Sequence, residues 1–303
     1  MITTYSGLHV DSASIGKLIC YPVNHTGANP LKNTIAIIPA RFNSTRLPGK
    51  ALLEIAGKPM ICWVIERALA AQRVERVIVA TDDQRILKAV QSEGYEAMMT
   101  GSGHASGTDR IAEVARKIED AEIIVNVQGD EPLISPETID RAVEALLGTQ
   151  NPKAVTAALV AGIATAWEPI ENAADVLNPD VVKIVLSETG RALYFSRSPV
   201  PFPRQAVREH GSLKDALDKD PSLLNSFRKH TGLYVYRRDV LLEFTRWSQS
   251  ELEQRESLEQ LRALEHGVAI VAVEASSNSV GVDTFPDLER VRNMIGMKVS
   301  GRI

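Results

Sequence analysis

Residues 34–50 read TIAIIPARFNSTRLPGK. TIAIIP is an unbroken apolar run rich in β-branched side chains, the pattern of a strand buried on both faces. The loop that follows gathers Arg41, Arg46 and Lys50 among Asn43, Ser44, Thr45, Pro48 and Gly49, residues that favour turns. Working outward, the pattern repeats. PMICWVIERALAAQ (59–72) has helical period, with Pro59 suited to a first turn. RVIVAT (76–81) reads as a strand, and DDQRILKAVQSEG (82–94) as a helix closed by Gly94. GTDRIAEVARKIED (107–120) is a further helix and AEIIVNVQ (121–128) a further strand. SPETIDRAVEALLG (135–148) is a helix with Ser135 as N-cap, Pro136 at its first position and Gly148 as stop. Alternating β and α elements with right-handed crossovers predict an α/β fold: a mainly parallel sheet covered on both faces.

The second half is less regular. AVTAALV (154–160), VVKIVLS (181–187), RALYFS (191–196), TGLYVYRR (231–238) and AIVAVEA (269–275) read as strands. DVLLEFTRW (239–247), RESLEQLRALEHG (255–267) and FPDLERVRNMIG (285–296) read as helices. Residues 199–225, which contain PVPFPR, read as loop. Residues 1–33 have no steady period and no signal-peptide layout, and read as a disordered extension. A single domain over 34–298, with an inserted sub-lobe around 190–240 and a tail at 299–303, is the simplest division.

Hydrophobic residues make up 44% of the 303 and charged residues 24%, enough for a sizeable core. The net charge of −4 supplies no global field for nucleic acid, so anion binding must be local. No apolar run approaches the roughly 20 residues of a membrane span. The two cysteines, Cys20 and Cys62, make no disulfide framework, and the expected setting is the reducing cytoplasm. His9 and His25 lack metal-ligand spacing.

In open parallel sheets, ligands sit at the carboxyl ends of the strands, where the 39–50 loop begins. Its arginines suit phosphate oxygens in bidentate fashion, and Lys50 adds a point charge. The loop lacks G-x-x-x-x-G-K-[ST], so it is not the usual ATPase phosphate loop. A solvated basic loop is the plainer reading. NVQGDEP places Asp130 and Glu131 just after a strand, where ligands for a hard cation belong. GVDT places Asp283 after AIVAVEA, where a turn or cap role is equally open. Asp82 and Asp83 read as the N-terminus of the next helix.

Together these motifs resemble the 3-deoxy-manno-octulosonate (Kdo) cytidylyltransferase family. The resemblance starts at IAIIPARFNSTRLPGKALLEIAGKPM. It continues through VIVATDD, HASGTDRIAEV, IIVNVQGDEPLI, NPDVVKIVL, ALYFSRSPVPF, HTGLYVYRR, ESLEQLR and GVDTFPDLERVR, covering residues 34 to about 293. TFPDL where the family pattern has TPEDL, and SSNSV where glycines are usual before GVDT, are departures.

The resemblance implies a three-layer αβα, Rossmann-like nucleotide-diphospho-sugar transferase fold whose sub-lobe serves sugar binding and dimerisation. The implied reaction is CTP plus Kdo giving CMP-Kdo and pyrophosphate, which activates Kdo for lipopolysaccharide inner-core synthesis. By the same resemblance Arg41, Arg46, Lys50 and Asp130 are catalytic, and Asp130 and Asp283 hold Mg²⁺. Ala40, Arg41, Lys50, Ser106, Gly107, Arg110 and Gln128 would bind nucleotide. Gln128, Arg197, His230, Glu256 and Gln260 would bind sugar. Read without it, Ser106 is a helix cap, Arg197 a surface cation and His230 a structural residue. Glu256 and Gln260 would share one helix face at i, i+4. A homodimer is implied, with TGLYVYRR and the loop-rich stretch before it as candidate interface, and no nucleic acid or membrane as partner. A cytidylyltransferase for another acid sugar, such as a nonulosonate, and a non-catalytic nucleotide-binding protein are the alternatives.

Overall fold

The computed structural model describes residues 33–43, 46–148 and 161–300. Most of the N-terminal extension, Ser44, Thr45, the strand expected at 154–160 and the last three residues lie outside the described residues.

Strand β1 is Thr34–Ala40. A 3₁₀ turn at Lys50–Leu52 and a hairpin of β2 (Glu54–Ile55) and β3 (Lys58–Pro59) lead to helix α1, Met60–Leu69. Then come β4 (Arg76–Thr81), α2 (Gln84–Ser92), β5 (Glu96–Met99), α3 (Gly107–Lys117), β6 (Ile123–Asn126) and α4 (Pro136–Leu147). Next are β7 (Ala161–Pro169), α5 (Ala173–Leu177), β8 (Lys183–Leu186), β9 (Ala192–Ser196), α6 (Arg204–His210) and α7 (Leu213–Lys219). The chain ends with β10 (Arg228–Arg237), α8 (Arg238–Phe244), α9 (Glu251–Glu256), α10 (Gln260–Glu265), β11 (Ala269–Glu274) and α11 (Phe285–Ser300).

The main sheet runs β11-β7-β10-β6-β1-β4-β5, with β8 and β9 joining beside β10. β6, β1, β4 and β5 are parallel, while β10 is antiparallel to both β6 and β7. The alternation of side chains along a strand divides β1 between two cores. Ala36, Ile38 and Ala40 pack with Ile61 and Ile65 of α1 and Ile139 and Val143 of α4. Ile35 and Ile37 pack with Ile111 and Val114 of α3 and Leu241 of α8. This is the three-layer αβα arrangement expected from the sequence. Among the described residues, no helix is long and apolar enough to cross a membrane.

The caps agree closely with the sequence. Ser135 accepts from Thr138 N with Pro136 following, and Gly148 stops α4 in the left-handed region at φ 79°. Gly94 closes the turn after α2 at φ 82°.

Four expectations need correction. First, the 199–225 stretch holds α6, α7 and a 3₁₀ segment, because Ser212 caps α7, Ala216 is buried, and Leu217 packs in a satellite core with Val176 and Phe227. Second, 255–267 is not one helix. α9 begins earlier, at a capping box of Ser250 and Glu253, and ends where Ser257 turns left-handed at φ 51°. Arg197 Nε and Nη2 then donate to the Glu256 and Ser257 carbonyls that the helix end leaves free. Glu256 and Gln260 therefore lie on separate helices. Third, β5 was absent from the sequence reading, since EAMM alternates poorly and is only half-buried. Fourth, the TGLYVYRR candidate for a dimer surface is inside this chain's own sheet. β10 pairs on both sides, and Leu233, Val235 and Tyr236 are buried.

Candidate functional site

Neighbouring strands of a doubly wound sheet open a crevice where the connections leave in opposite directions. Here β1 continues to β4 on one side, while β6 lies on the other. The loops after β1 and β6 therefore meet. A Cβ on Gly129 would come within 2.8 Å of the Pro39 carbonyl oxygen, so only glycine allows this approach. Gly107, at the start of α3, packs nearly as closely on Pro39. Gly49 takes φ 68° and donates its N–H to the Phe42 carbonyl (2.9 Å), which closes the basic loop on itself.

Asp283 reaches the same place from the far edge of the sheet. After β11 the chain crosses the ends of β7, β10 and β6. Ala275 N donates to the Trp167 carbonyl and Val282 N to the Asp130 carbonyl. Helix α11 fixes the end of this crossing by burying Leu288, Val291 and Ile295 with Ile55, Met60 and Val282. Asp287, in the first turn of that helix, accepts from the Asp283 and Thr284 amides, and Thr284 Oγ1 in return accepts from Asp287 N.

The outcome is a cleft of ≈ 410 Å³ lined by Pro39, Ala40, Arg41, Asn43, Arg46, Lys50, Ala51, Gly107, Gln128, Gly129, Asp130 and Asp283. Lys50 Nζ lies 2.6 Å from Asp130 Oδ2 and 3.1 Å from Asp283 Oδ1. Arg46 Nη2 reaches the other Asp283 oxygen at 3.1 Å. Two carboxylates 153 residues apart in the chain thus converge on one cation. A donor set of two aspartates at strand ends is the kind that Mg²⁺ takes, completed by water and phosphate oxygens. The residues present fit such an ion.

A second cleft of ≈ 340 Å³ adjoins the first and shares Arg41 and Asn43 with it, adding Phe42, Asp82, Asp83, Ser102 and Arg110. Arg110 is fully buried, with Nη2 2.8 Å from Asp82 Oδ2 and Nη1 2.5 Å from Thr100 Oγ1. Asp83 alone caps α2, accepting from Arg85 N, so Asp82 serves Arg110 rather than the helix start. Ser106 caps α3 in a reciprocal capping box with Asp109. Arg41 Nη2 donates to the His104 carbonyl (3.2 Å), and Glu113 holds that loop through Gly101 N and the His104 ring.

The proposed sugar residues lie apart from these clefts, with one exception. Gln128 lines the first cleft and donates to the Asn126 side chain and the Gly232 carbonyl. Arg197 donates to three main-chain carbonyls, those of Pro179, Glu256 and Ser257, and is not a free surface cation. The Glu256 carboxylate accepts from Ser196 Oγ and Arg197 N. Gln260 is buried at the start of α10.

The Thr165 hydroxyl donates to the Leu233 carbonyl (2.7 Å), which leaves it to accept from His230 Nε2–H (2.9 Å). Burial pushes the His230 imidazole down to about 3, so it is neutral at ordinary pH. The unfolded chain takes up that proton near pH 6.5, so the fold loses stability as pH falls from about 6.5 towards 3. His230→Gln removes this loss. The gap in Tm between parent and variant should narrow by a few degrees from pH 7 to pH 5, and a constant gap in thermal melts would contradict it.

Two further carboxyls lie behind Asp130, and only one of them, Glu131, was visible in the sequence. Glu131 is pushed up to about 7, first by burial and then by the charge of Asp130. Glu168 is buried between β7 and β10, accepting from Thr231 Oγ1 and pairing with Lys229. Glu131 was visible beside Asp130, but nothing local pointed to Glu168.

A mainly parallel sheet whose first loop sets Arg41, Arg46 and Lys50 against two strand-end aspartates is the layout of a nucleotidyltransferase. The chain belongs to the cytidylyltransferase family, whose model matches residues 35–270. It is 52% identical over 259 residues to the 3-deoxy-manno-octulosonate cytidylyltransferase of Geobacter sulfurreducens, covering 86% of this chain and 98% of the relative. The enzyme of that name from Trichlorobacter lovleyi is 50% identical over 258 residues, covering 85% and 96%. Among solved structures, a CMP:2-keto-3-deoxy-manno-octonic acid synthetase complexed with CTP superposes with a TM-score of 0.75 at 42% identity, covering 88% of this chain and 99% of that one.

Proposed function

We propose that the protein transfers a cytidylyl group from CTP to Kdo, giving CMP-Kdo and pyrophosphate. The observation that carries this reading is the convergence of Asp130 and Asp283 on the Lys50 ammonium, inside a cleft whose lining also includes Arg41 and Arg46. The curated relatives at about half identity carry the same activity in their names.

The chemistry is attack of the anomeric 2-hydroxyl oxygen of Kdo on the α-phosphorus. The bond from that phosphorus to the α,β-bridging oxygen breaks, pyrophosphate leaves with the electron pair on that oxygen, and the hydroxyl proton passes to solvent. Arg41, Arg46 and Lys50 neutralise the triphosphate and the charge that grows on the leaving group. Gly107 and Ala40 allow the backbone to approach the nucleotide, and the smaller cleft around Arg110 receives the base. Gln128 is placed between the nucleotide cleft and β10, where the sugar would lie. Asp130 and Asp283 would hold Mg²⁺, which when bound supplies charge neutralisation and lowers the pKa of a coordinated hydroxyl. Arg197, His230, Glu256 and Gln260 bind or shape the Kdo side. Arg197 keeps N–H groups beyond those given to the three carbonyls.

A homodimer through the β9 edge fits the exposure of Leu193 (59%) and Phe202 (60%), since β9 pairs only with β8 among the described strands. The reducing cytoplasm suits the buried free thiol of Cys62.

Pyrophosphate release with CTP, ATP, GTP and UTP, each offered Kdo or sialic acid, tests the reading. Release with CTP and Kdo alone is expected. Release with CTP and sialic acid in place of Kdo would move the assignment to a nonulosonate enzyme.

A further inference from the structure

We propose that Ser279 is a positioning residue that sets Asp283 against Asp130 and so tunes the affinity of the cleft for a divalent cation. The proposal rests on the reading of those two aspartates as metal ligands.

No helix or strand occurs between Glu274 and Phe285, so Asp283 is placed by the side bonds of its loop. The early part is tied to α4, where Ser276 N donates to Thr138 Oγ1 (2.9 Å). The hydrogen bonds that tie residues 277–281 to the rest of the molecule, among the described residues, run through Ser279. Its N–H donates to Glu168 Oε1 at 2.9 Å, and its hydroxyl donates to Glu131 Oε2 at 3.0 Å.

Each partner is itself fixed. Glu168 is only 2% exposed, and Lys229 Nζ and Thr231 Oγ1 also bind it, each at 3.2 Å. Glu131 is the residue next to Asp130, in a turn where Glu131 N donates to the Gln128 carbonyl and Ile134 N to the Glu131 carbonyl. Ser279 therefore links the rigid β7–β10 pair to the turn that carries Asp130, four residues before Asp283. A second link, Val282 N to the Asp130 carbonyl at 2.9 Å, closes the frame. Two carboxylates on separate loops bind one small cation tightly only when their spacing is held, and partners one step behind the ligands typically govern affinity by 10–100-fold.

Ser279→Ala removes the hydroxyl and keeps the amide bond to Glu168, while Ser279→Thr keeps both. Mn²⁺ binding, read by electron paramagnetic resonance with and without CTP, should weaken roughly tenfold in Ser279→Ala and stay near the parent value in Ser279→Thr. The Mg²⁺ concentration for half-maximal pyrophosphate release should rise in parallel, and turnover should recover at saturating Mg²⁺. A mere loss of stability would lower Tm without shifting the metal response. Parent-like Mn²⁺ binding in folded Ser279→Ala would overturn the positioning role. Asp130→Asn serves as the control: if it too leaves Mn²⁺ binding intact, the metal reading itself falls.

Discussion

Asp130→Asn and Asp283→Asn should each lose roughly a thousandfold or more in turnover while folding normally. The aspartates contribute little to stability, because Asp283 is half exposed, its pair with Arg46 lies open to solvent, and Asp130 is itself about a third exposed. Their value is in the charge they bring to one point. Removing one carboxylate from a two-carboxylate metal site costs several kcal/mol of transition-state stabilisation, about 4 kcal/mol for a thousandfold. Circular dichroism and a thermal melt would establish folding, and pyrophosphate release would give turnover. Near-parent activity in either folded variant would remove that residue from the site.

Lys50→Ala should lower kcat about a hundredfold or more and change the Michaelis constant for CTP far less. Phosphate charge grows as pyrophosphate departs, so a cation in contact with it acts more on the transition state than on the bound substrate. The structure adds a second expectation. Lys50 is the cation that now separates Asp130 from Asp283, with its side chain only 15% exposed. Without it Asp130 loses its cation and only Arg46, paired with Asp283, offsets the two carboxylates. Mg²⁺ should then raise the Tm of Lys50→Ala more than that of the parent. An unchanged kcat, or an equal Mg²⁺ response in both proteins, would contradict the role given to Lys50.

The parts of the fold that were legible in the sequence are those set by local rules. TIAIIP and RVIVAT are strands because continuous β-branched runs suit a sheet buried on both faces, and both pair as parallel neighbours. Helix α4 begins at Ser135 and stops at Gly148 because both cap positions have a chemical cause. The errors lie where distant residues decide. Nothing in RESLEQLRALEHG announces that Ser257 will turn left-handed and end α9, with Arg197 taking the carbonyls there, so that Glu256 and Gln260 fall on separate helices. TGLYVYRR was a candidate interface only through the family resemblance, and its aromatic, β-prone residues instead suit the central antiparallel strand it forms.

The candidate site divides in the same way. Arg41, Arg46 and Lys50 could be read together because one loop carries them. Asp283 could be matched to Asp130 only through the family resemblance, since the crossing of residues 275–284 over the strand ends is a tertiary event. Glu168 and Ser279 carried no local signal at all. Their connection exists only after β7, β10 and that crossing have come together.

Attack of the sugar oxygen on the α-phosphorus of CTP fixes where each phosphorus atom must go, so label is followed from CTP in the presence of Kdo and Mg²⁺. With the α-phosphorus labelled, the label should appear in CMP-Kdo, and with the γ-phosphorus labelled, it should appear only in pyrophosphate. Transfer of γ-label to the sugar, or its release as orthophosphate, would contradict the claim and identify a different reaction.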